Sequence, residues 1–219
     1  MLRQAQHVGG NRMYKLYYAP GAASMAPHAA LIDIGAPPEL VLVDTDKGKQ
    51  HDPAYLKLNP HARVPTLVVG DLVLYESAAI MLYLCERHPD AGLAPAPGEP
   101  DRPRFLQWQI YLTNTVQEEL MHHWHADHYV ADAASQKALH DGVEPRLGRM
   151  WQHLDGVLSD GPYLLGRRFS AVDYYLFMLL RWSRNMARPG YDYGNLGRLF
   201  ELIGARPAMQ AVFRREGLA

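Results

Sequence analysis

The pattern of strand and helix signals changes once along this chain, at a proline-rich stretch. Residues 89–103, PDAGLAPAPGEPDRP, hold five prolines and two glycines, a composition typical of a linker. Strand signals occur only before this stretch. Helical spacing of apolar residues recurs after it, over 103–130, 136–159, 171–187 and 195–215. The sequence therefore predicts a small α/β domain over 13–90, a linker over 91–102 and an all-helical domain over 103–219.

The first domain opens with a strand–helix–strand pattern. MYKLYY is predicted as a strand that ends at Pro20-Gly21, and SMAPHAALIDIG as a helix with Ser24 as its N-cap. LVLVD follows as a second strand, and PAYLKLN as a short helix. TLVV and LVLY flank Gly70-Asp71, a hairpin signal, and Ser77 opens another helix. The predicted order is βαβαββα.

Composition excludes several classes of function. Of the 219 residues, 48 % are hydrophobic and 21 % charged, with a formal net charge of −1, which argues against nucleic-acid or anionic-membrane partners. The longest apolar run, Tyr174–Leu180, is too short to span a bilayer. Residues 1–12 lack the apolar core of a secretory signal and are predicted to be a disordered extension. The single cysteine, Cys85, is predicted to be a buried apolar residue, and its being alone fits a reducing cytoplasm.

Two short motifs in the first domain offer groups that could bind a small peptide. In RVPTL, a cis Val64-Pro65 bond would leave the backbone N–H and C=O of Val64 free to pair with an extended peptide. In YESAA, Glu76 and Ser77 lie where a strand gives way to a helix. The helix N-terminus and the Ser77 hydroxyl suit a carboxylate, and Glu76 suits an ammonium group. The alternative for this pair is an ordinary serine N-cap beside an acidic residue.

A polar loop could hold a second carboxylate. The stretch DKGKQH presents Lys47, Lys49, Gln50 and His51. A solvated loop without a ligand is the alternative interpretation, and the one favoured when the stretch is read by itself.

A histidine-rich segment follows in the second domain. VQEELMHHWHADHY places His122, His125 and His128 near one face of a helix. No cysteine or well-placed carboxylate completes a ligand set, so the sequence predicts no metal site. We expect the segment to line a cleft instead, with Gln117, Met121 and His125 facing a substrate.

FSAVD predicts a capping box that starts a later helix. Ser170 and Asp173 would cap each other's backbone N–H groups, and Phe169 would pack on Tyr174 as a hydrophobic staple.

In order and spacing, these motifs resemble those of the cytosolic glutathione transferases, most closely the bacterial beta class and its relatives. The resemblance covers residues 13–219 and is carried by YYAPGAAS, LNPHARVPTL, YESAAIMLYL, the proline-rich linker, GRRFSAVDYYLFMLLRW and RPAMQAVFRREGL. It implies a thioredoxin-like N-terminal domain, an all-helical C-terminal domain and a homodimer that binds glutathione.

The resemblance also implies roles for the motifs above. Glu76 and Ser77 would hold the γ-glutamyl group, and Val64, before a cis Pro65, would pair with the cysteinyl backbone. The glycyl carboxylate would meet one of the loop residues, namely Lys47, Lys49, Gln50 or His51.

The chain departs from the family at its reactive positions. Ala23 stands where the beta class usually carries a cysteine, Ala22 where theta-like and delta-like classes carry a serine, and Gln117 where the beta class carries a histidine. Tyr18 matches the tyrosine of the alpha, mu and pi classes. Lowering the thiol pKa by two units requires about 2.7 kcal/mol of thiolate stabilisation, for which Tyr18 and Ser24 are equally weighted candidates.

The resemblance therefore implies a transferase that conjugates glutathione to small, mostly apolar electrophiles, with peroxidase activity as a related possibility. The two alanines favour an alternative, a glutathione-binding or ligand-binding protein with little or no turnover.

Overall fold

The computed structural model describes residues 13–218, so the prediction for residues 1–12 lies outside the described residues. The first domain follows the predicted order. Its elements are β1 (Lys15–Tyr18), α1 (Met25–Asp33), β2 (Glu39–Leu42), α2 (Pro53–Leu56), β3 (Thr66–Val69), β4 (Leu72–Tyr75) and α3 (Ser77–Arg87).

The four strands form one mixed sheet in the order β2-β1-β3-β4. β1 runs parallel to β2 and antiparallel to β3, and β3 pairs antiparallel with β4. Successive side chains of β1 point to opposite faces of the sheet. Leu16 is buried with the residues of α1 and α3, whereas the ring of Tyr17 packs near that of Tyr55 in α2. This is the predicted thioredoxin-like arrangement.

The second domain is helical. Its α-helices are α4 (Arg102–Tyr111), α5 (Glu118–Trp124), α6 (Ala133–Val157), α7 (Ala171–Trp182), α8 (Gly194–Gly204) and α9 (Pro207–Glu216). α7 is the most apolar of them and lies buried at the centre of the domain. α1 of the first domain packs against α7 and α9, so both domains share one apolar core. Between residues 13 and 218, no helix is both long and apolar enough to span a lipid bilayer.

Three predicted helix bounds are wrong. The helix predicted to continue to residue 130 ends at Trp124, after a π-helical turn over Leu112–Gln117. The helical pattern over 195–215 is divided into α8 and α9 because Pro207 disfavours a helical conformation at Arg206, whose ψ is 139°. α7 ends at Trp182, five residues earlier than predicted.

The predicted capping box at the start of α7 is confirmed. The Asp173 carboxylate accepts hydrogen bonds from the Ser170 N–H at 2.8 Å and from the Leu164 N–H at 2.9 Å. The rings of Phe169 and Tyr174 pack edge to face with centroids 5.0 Å apart, which is the predicted staple. These contacts fix the direction in which α7 enters the core.

Candidate active site

The β1–α1 corner, residues 19–24, is a tight turn that ends at Ser24, immediately before α1. The Ala22 N–H donates to the Ala19 carbonyl at 3.1 Å, and the Met25 N–H donates to the Ala22 carbonyl at 3.0 Å. Within residues 13–218, the N–H groups of Ala23 and Ser24 have no hydrogen-bond acceptor. Because these two groups precede α1, they add to the partial positive charge of its N-terminus. The corner therefore presents two free donors to an anion.

The side chain of Ser24 is not the predicted helix cap. It is fully buried, and its hydroxyl donates to the Ala19 carbonyl at 3.1 Å instead of capping α1. A serine hydroxyl has one proton to donate, so in this arrangement the side chain has none left for a sulfur anion. Only the backbone N–H of Ser24 remains available as a donor.

Tyr18 ends β1 and lies half-buried on the side of the corner that faces α9. Its ring centroid lies 6.5 Å from that of His28. Burial raises the pKa of the Tyr18 hydroxyl, and the charge of Glu216 acts in the same direction while Arg215 opposes it. The hydroxyl is therefore protonated at neutral pH, and it can donate a hydrogen bond but cannot serve as a base.

The second domain holds the corner in place through Glu216 of α9. The Glu216 carboxylate accepts a hydrogen bond from the Gly21 N–H at 2.9 Å and meets Nδ1 of His28 at 2.7 Å. The indole N–H of Trp182 donates to the Gly21 carbonyl at 2.8 Å, and that of Trp124 donates to the Trp182 carbonyl at 2.9 Å. The sequence analysis missed His28 and Glu216, because residues this far apart in the chain carry no local signal of their contact.

The segment before β3 is fixed by side chains from α2 and the turn after it. The Arg63 carbonyl accepts hydrogen bonds from the Tyr55 hydroxyl at 2.6 Å and from Nδ2 of Asn59 at 2.8 Å. The Val64-Pro65 peptide bond is cis, as the resemblance implies, and Val64 is half-buried. Val64 lies outside the sheet pairing, since β3 begins at Thr66. Its backbone is therefore held in place without being used by a neighbouring strand.

The start of α3 lies against the β1–α1 corner. The Ser77 hydroxyl donates to the Ala23 carbonyl at 2.7 Å, which joins two motifs that are far apart in the sequence. Ser77 is the first residue of α3 and Glu76 is its N-cap residue, so the alternative of an ordinary serine N-cap is wrong. Glu76 is exposed and has φ 72° and ψ 112°, a conformation rare for residues other than glycine. Strained residues of this kind cluster at ligand sites.

The polar loop is exposed, and its lysines have partners. Lys47 pairs with Asp44 at 2.6 Å and Lys49 pairs with Asp52 at 3.2 Å. His51 is exposed. Oε1 of Gln50 is buried, and no hydrogen-bond partner is found for it in the described part of the chain. Surface ion pairs of this kind are weak, so a ligand carboxylate can compete for either lysine.

Gln117, Met121 and His125 of the second domain, predicted to face a substrate, lie on or just after the helical segment that ends with α5. The hydroxyl of Tyr175, which lies beside Ser77, donates to Oε1 of Gln117, so Gln117 lies behind the start of α3. Met121 is half-buried on the next turn. His125 lies beyond the end of α5, where its side chain is exposed. Partial desolvation of its ring and the charge of His128 lower its pKa, while Asp127 opposes the shift.

The predicted helical face of three histidines does not form. Since α5 ends at Trp124, His125 and His128 lie in the turn that follows it, with their rings stacked 4.8 Å apart. His122 packs against Tyr129 instead.

Cys85 is buried as predicted, and burial raises the pKa of its thiol to about 12, which removes it as a nucleophile at neutral pH.

Comparison with known proteins identifies this arrangement. The model of the glutathione S-transferase N-terminal domain matches residues 13–86, and the model of the glutathione S-transferase C-terminal domain matches residues 137–215. The glutathione S-transferase GST-4.5 of Xanthomonas campestris pv. campestris is 30 % identical over 207 residues, which cover 93 % of this chain and 99 % of that protein.

Two solved structures share the whole fold. A glutathione transferase homologue from Sulfitobacter with bound glutathione superposes with a TM-score of 0.86 at 27 % identity, covering 94 % of this chain and 99 % of that one. A bacterial beta-class glutathione S-transferase from Sphingomonas chungbukensis superposes with a TM-score of 0.80 at 30 % identity, covering 94 % and 100 %.

Proposed function

This chain belongs to the glutathione S-transferase family, and from that premise we propose that it binds glutathione at the β1–α1 corner and transfers the thiolate to small, mostly apolar electrophiles. The observation that carries the proposal is the 2.7 Å hydrogen bond from Ser77 to the Ala23 carbonyl. It joins the corner where the sulfur would lie to the helix end that would hold the γ-glutamyl group.

The γ-glutamyl end of glutathione carries both an ammonium and a carboxylate. The carboxylate would accept hydrogen bonds from the first N–H groups of α3, which lack partners within the helix. Glu76 is exposed at that helix end and would pair with the ammonium. Because the Ser77 hydroxyl donates to Ala23, we assign Ser77 a role through its backbone N–H and through the position it gives the corner.

The remaining peptide would extend past Val64 toward the polar loop. The backbone N–H and C=O of Val64 would pair with the cysteinyl residue as an added strand, and Pro65 follows it before β3 begins. Lys47, Lys49, Gln50 and His51 are the candidates for the glycyl carboxylate. Among them, Gln50 has a buried side-chain oxygen without a partner in the described residues, and its Nε2 amide group is the part of the side chain that could donate to a carboxylate.

The thiolate would be stabilised by donors rather than formed by a protein base. The N–H groups of Ala23 and Ser24 are free within the described chain, and each hydrogen bond to a charged acceptor contributes about 1.5–3 kcal/mol. The hydroxyl of Tyr18 is a third candidate donor. Any two of these three hydrogen bonds would supply roughly the 2.7 kcal/mol that a shift of two pKa units requires. Ala22 and Ala23 leave space for the sulfur.

The electrophile would lie between the corner and the helical wall formed by Gln117, Met121 and His125. In a substitution, the thiolate sulfur forms a bond to the electrophilic carbon, and the leaving group departs with the electron pair of the bond that breaks. In an addition, the electron pair of the attacked double bond takes up a proton. With a hydroperoxide, the thiolate would be oxidised and the O–O bond reduced, which is the related peroxidase reaction.

The alternative, a glutathione-binding protein with little turnover, makes a different prediction in one experiment. Retention on a glutathione matrix, together with turnover of a chloronitrobenzene, an isothiocyanate or a hydroperoxide, would support the transferase. Retention without turnover of any of the three would support the alternative. Failure to bind glutathione would contradict both.

We further propose that the protein is a cytoplasmic homodimer. Leu72 and Val73 of β4 and Leu106 and Ile110 of α4 are exposed apolar side chains, with Ile110 52 % exposed, and exposed apolar groups are typical of subunit interfaces. The single buried cysteine suits a reducing compartment. The near-zero net charge supports partners other than nucleic acid or membranes.

A further inference from the structure

Two histidines and a glutamate from neighbouring helices converge outside the proposed active site. His123 lies on α5, and His140 and Glu144 lie one turn apart on α6. One ligand atom of each, an imidazole nitrogen or a carboxylate oxygen, lies within 4.8 Å of the other two. The rings of His123 and His140 pack with centroids 4.3 Å apart. The fold therefore brings together the ligand set that the histidine-rich segment lacks by itself.

His123 is the fixed member of this group and lacks a hydrogen-bond partner. His123 is only 8 % exposed. Its Nδ1 is buried, and no hydrogen-bond partner for it occurs among residues 13–218. A buried polar atom left without a partner is uncommon and costly. In a neutral imidazole one ring nitrogen carries the proton and the other has a lone pair available to a ligand.

An open cavity of about 490 Å³ reaches the other two members. His140 and Glu144 line it together with Met186 and Tyr193. The Ala187 N–H donates to Oε1 of Glu144 at 3.3 Å, and such outer contacts orient a metal-ligating carboxylate. The cavity gives an entry path for an ion and room for water as a further ligand.

We propose that His123, His140 and Glu144 form a binding site for a divalent transition-metal ion of the zinc type. Two imidazole nitrogens and one carboxylate suit zinc, cobalt or nickel, whereas magnesium and calcium prefer oxygen ligands alone. With metal–ligand bonds of about 2.0–2.1 Å, tetrahedral ligand atoms lie about 3.3 Å apart. The half-buried side chains of His140 and Glu144 would therefore move toward His123 by about an ångström.

The bound ion would tie α5 to α6. α5 also carries Met121, one turn or less from His123, so the ion would order a helix that lines the proposed cleft. A second group, His125, Asp127 and His128, also has its ligand atoms within 4.8 Å of one another. All three are exposed, and none has a buried atom without a partner, so this group serves as the control.

Cobalt(II) alone is the probe for this site. The wild-type chain, freed of metal by a chelator, is titrated with cobalt(II) and followed by visible absorption and equilibrium dialysis. We expect one ion per chain, with an absorption intensity typical of four-coordinate cobalt. His140→Gln and Glu144→Gln should each weaken binding by about 100-fold or more, since loss of an outer-sphere contact alone costs about 10–100-fold. His128→Gln should bind as the wild type does.

Thermal unfolding gives an independent readout. Zinc should raise the Tm of the wild type and of His128→Gln in a concentration-dependent manner, but not that of His140→Gln. His123→Gln is a further test if it folds. If it does not fold, His140→Gln and Glu144→Gln decide whether the three side chains bind the ion. Absence of stoichiometric binding by the wild type, unchanged affinity in His140→Gln, or loss of binding in His128→Gln would overturn the proposal.

Discussion

Replacing Glu76 with glycine should make the protein more stable and, at the same time, a weaker binder of glutathione. Glu76 has φ 72° and ψ 112°, a conformation that costs a residue with a Cβ about 1–3 kcal/mol. Glycine removes that strain but adds about 0.4–1 kcal/mol of chain entropy to the unfolded state. The net gain is about 1 kcal/mol, which for a chain of this size raises Tm by about 2–4 °C.

Two matched variants separate the strain from the carboxylate. Glu76→Ala keeps the strain and removes the carboxylate, so its stability should stay near that of the wild type. Both Glu76 variants should lose about 1.5–3 kcal/mol of contact with the ligand ammonium, which is about 10- to 150-fold in Kd. Ala62 also has a positive φ, 53°, and Ala62→Gly should gain stability while keeping its affinity for glutathione.

Thermal unfolding without ligand gives the stability of each variant, and titration calorimetry with glutathione gives the affinity. The reasoning would be refuted if Glu76→Gly were no more stable than Glu76→Ala. Wild-type affinity in both Glu76 variants would also refute it, because the carboxylate would then have no part in binding.

Three further predictions concern groups away from the ligand. Cys85 should resist an uncharged thiol reagent in the folded protein and react only after unfolding, because burial raises its pKa to about 12; rapid labelling of the native chain would contradict this. Asp173→Asn should lower the unfolding free energy by about 1–3 kcal/mol, as measured in urea. Burial also raises the pKa of Asp173 to about 7, so the folded wild type binds the extra proton and its stability should fall as pH rises from about 4 to 7, a component that Asp173→Asn should lack. Ile110→Asp should sediment as a monomer while Leu202→Asp, on α8, stays dimeric; a dimer in both variants would exclude α4 from the interface.

The order of elements in the first domain could be predicted from the sequence because each signal there is local. Alternating apolar residues and the Gly70-Asp71 hairpin act over a few residues, and the structure has both. The Ser170–Asp173 capping box of the second domain is local in the same way, and it is also present. The helix ends were harder to predict. The apolar spacing over 195–215 is unbroken and by itself gives no sign of the break at Arg206. The break is indicated by Pro207, which a pattern of apolar spacing does not take into account.

The contacts that shape the candidate sites are not local. Glu216 reaches Gly21 and His28 from the far end of the chain, and His140 and Glu144 complete a cluster that begins at His123. Ser24 could not be assigned from the sequence for a different reason, because a serine suits both a helix cap and a hydrogen-bond donor to sulfur. Only the fold shows that its hydroxyl donates to Ala19 instead.

The pKa of the thiol of bound glutathione tests the proposed chemistry most directly. It is measured from the ultraviolet absorbance of the thiolate as a function of pH, in the wild type, Tyr18→Phe and Ser24→Ala. We expect a pKa about two units below that of a free thiol, which is about 8.5. Tyr18→Phe should raise it by about one unit, since a hydrogen bond to a charged acceptor contributes about 1.5 kcal/mol or more. Ser24→Ala should leave it nearly unchanged, because its backbone N–H remains. An unshifted thiol in the wild type, or a larger change in Ser24→Ala than in Tyr18→Phe, would contradict the account.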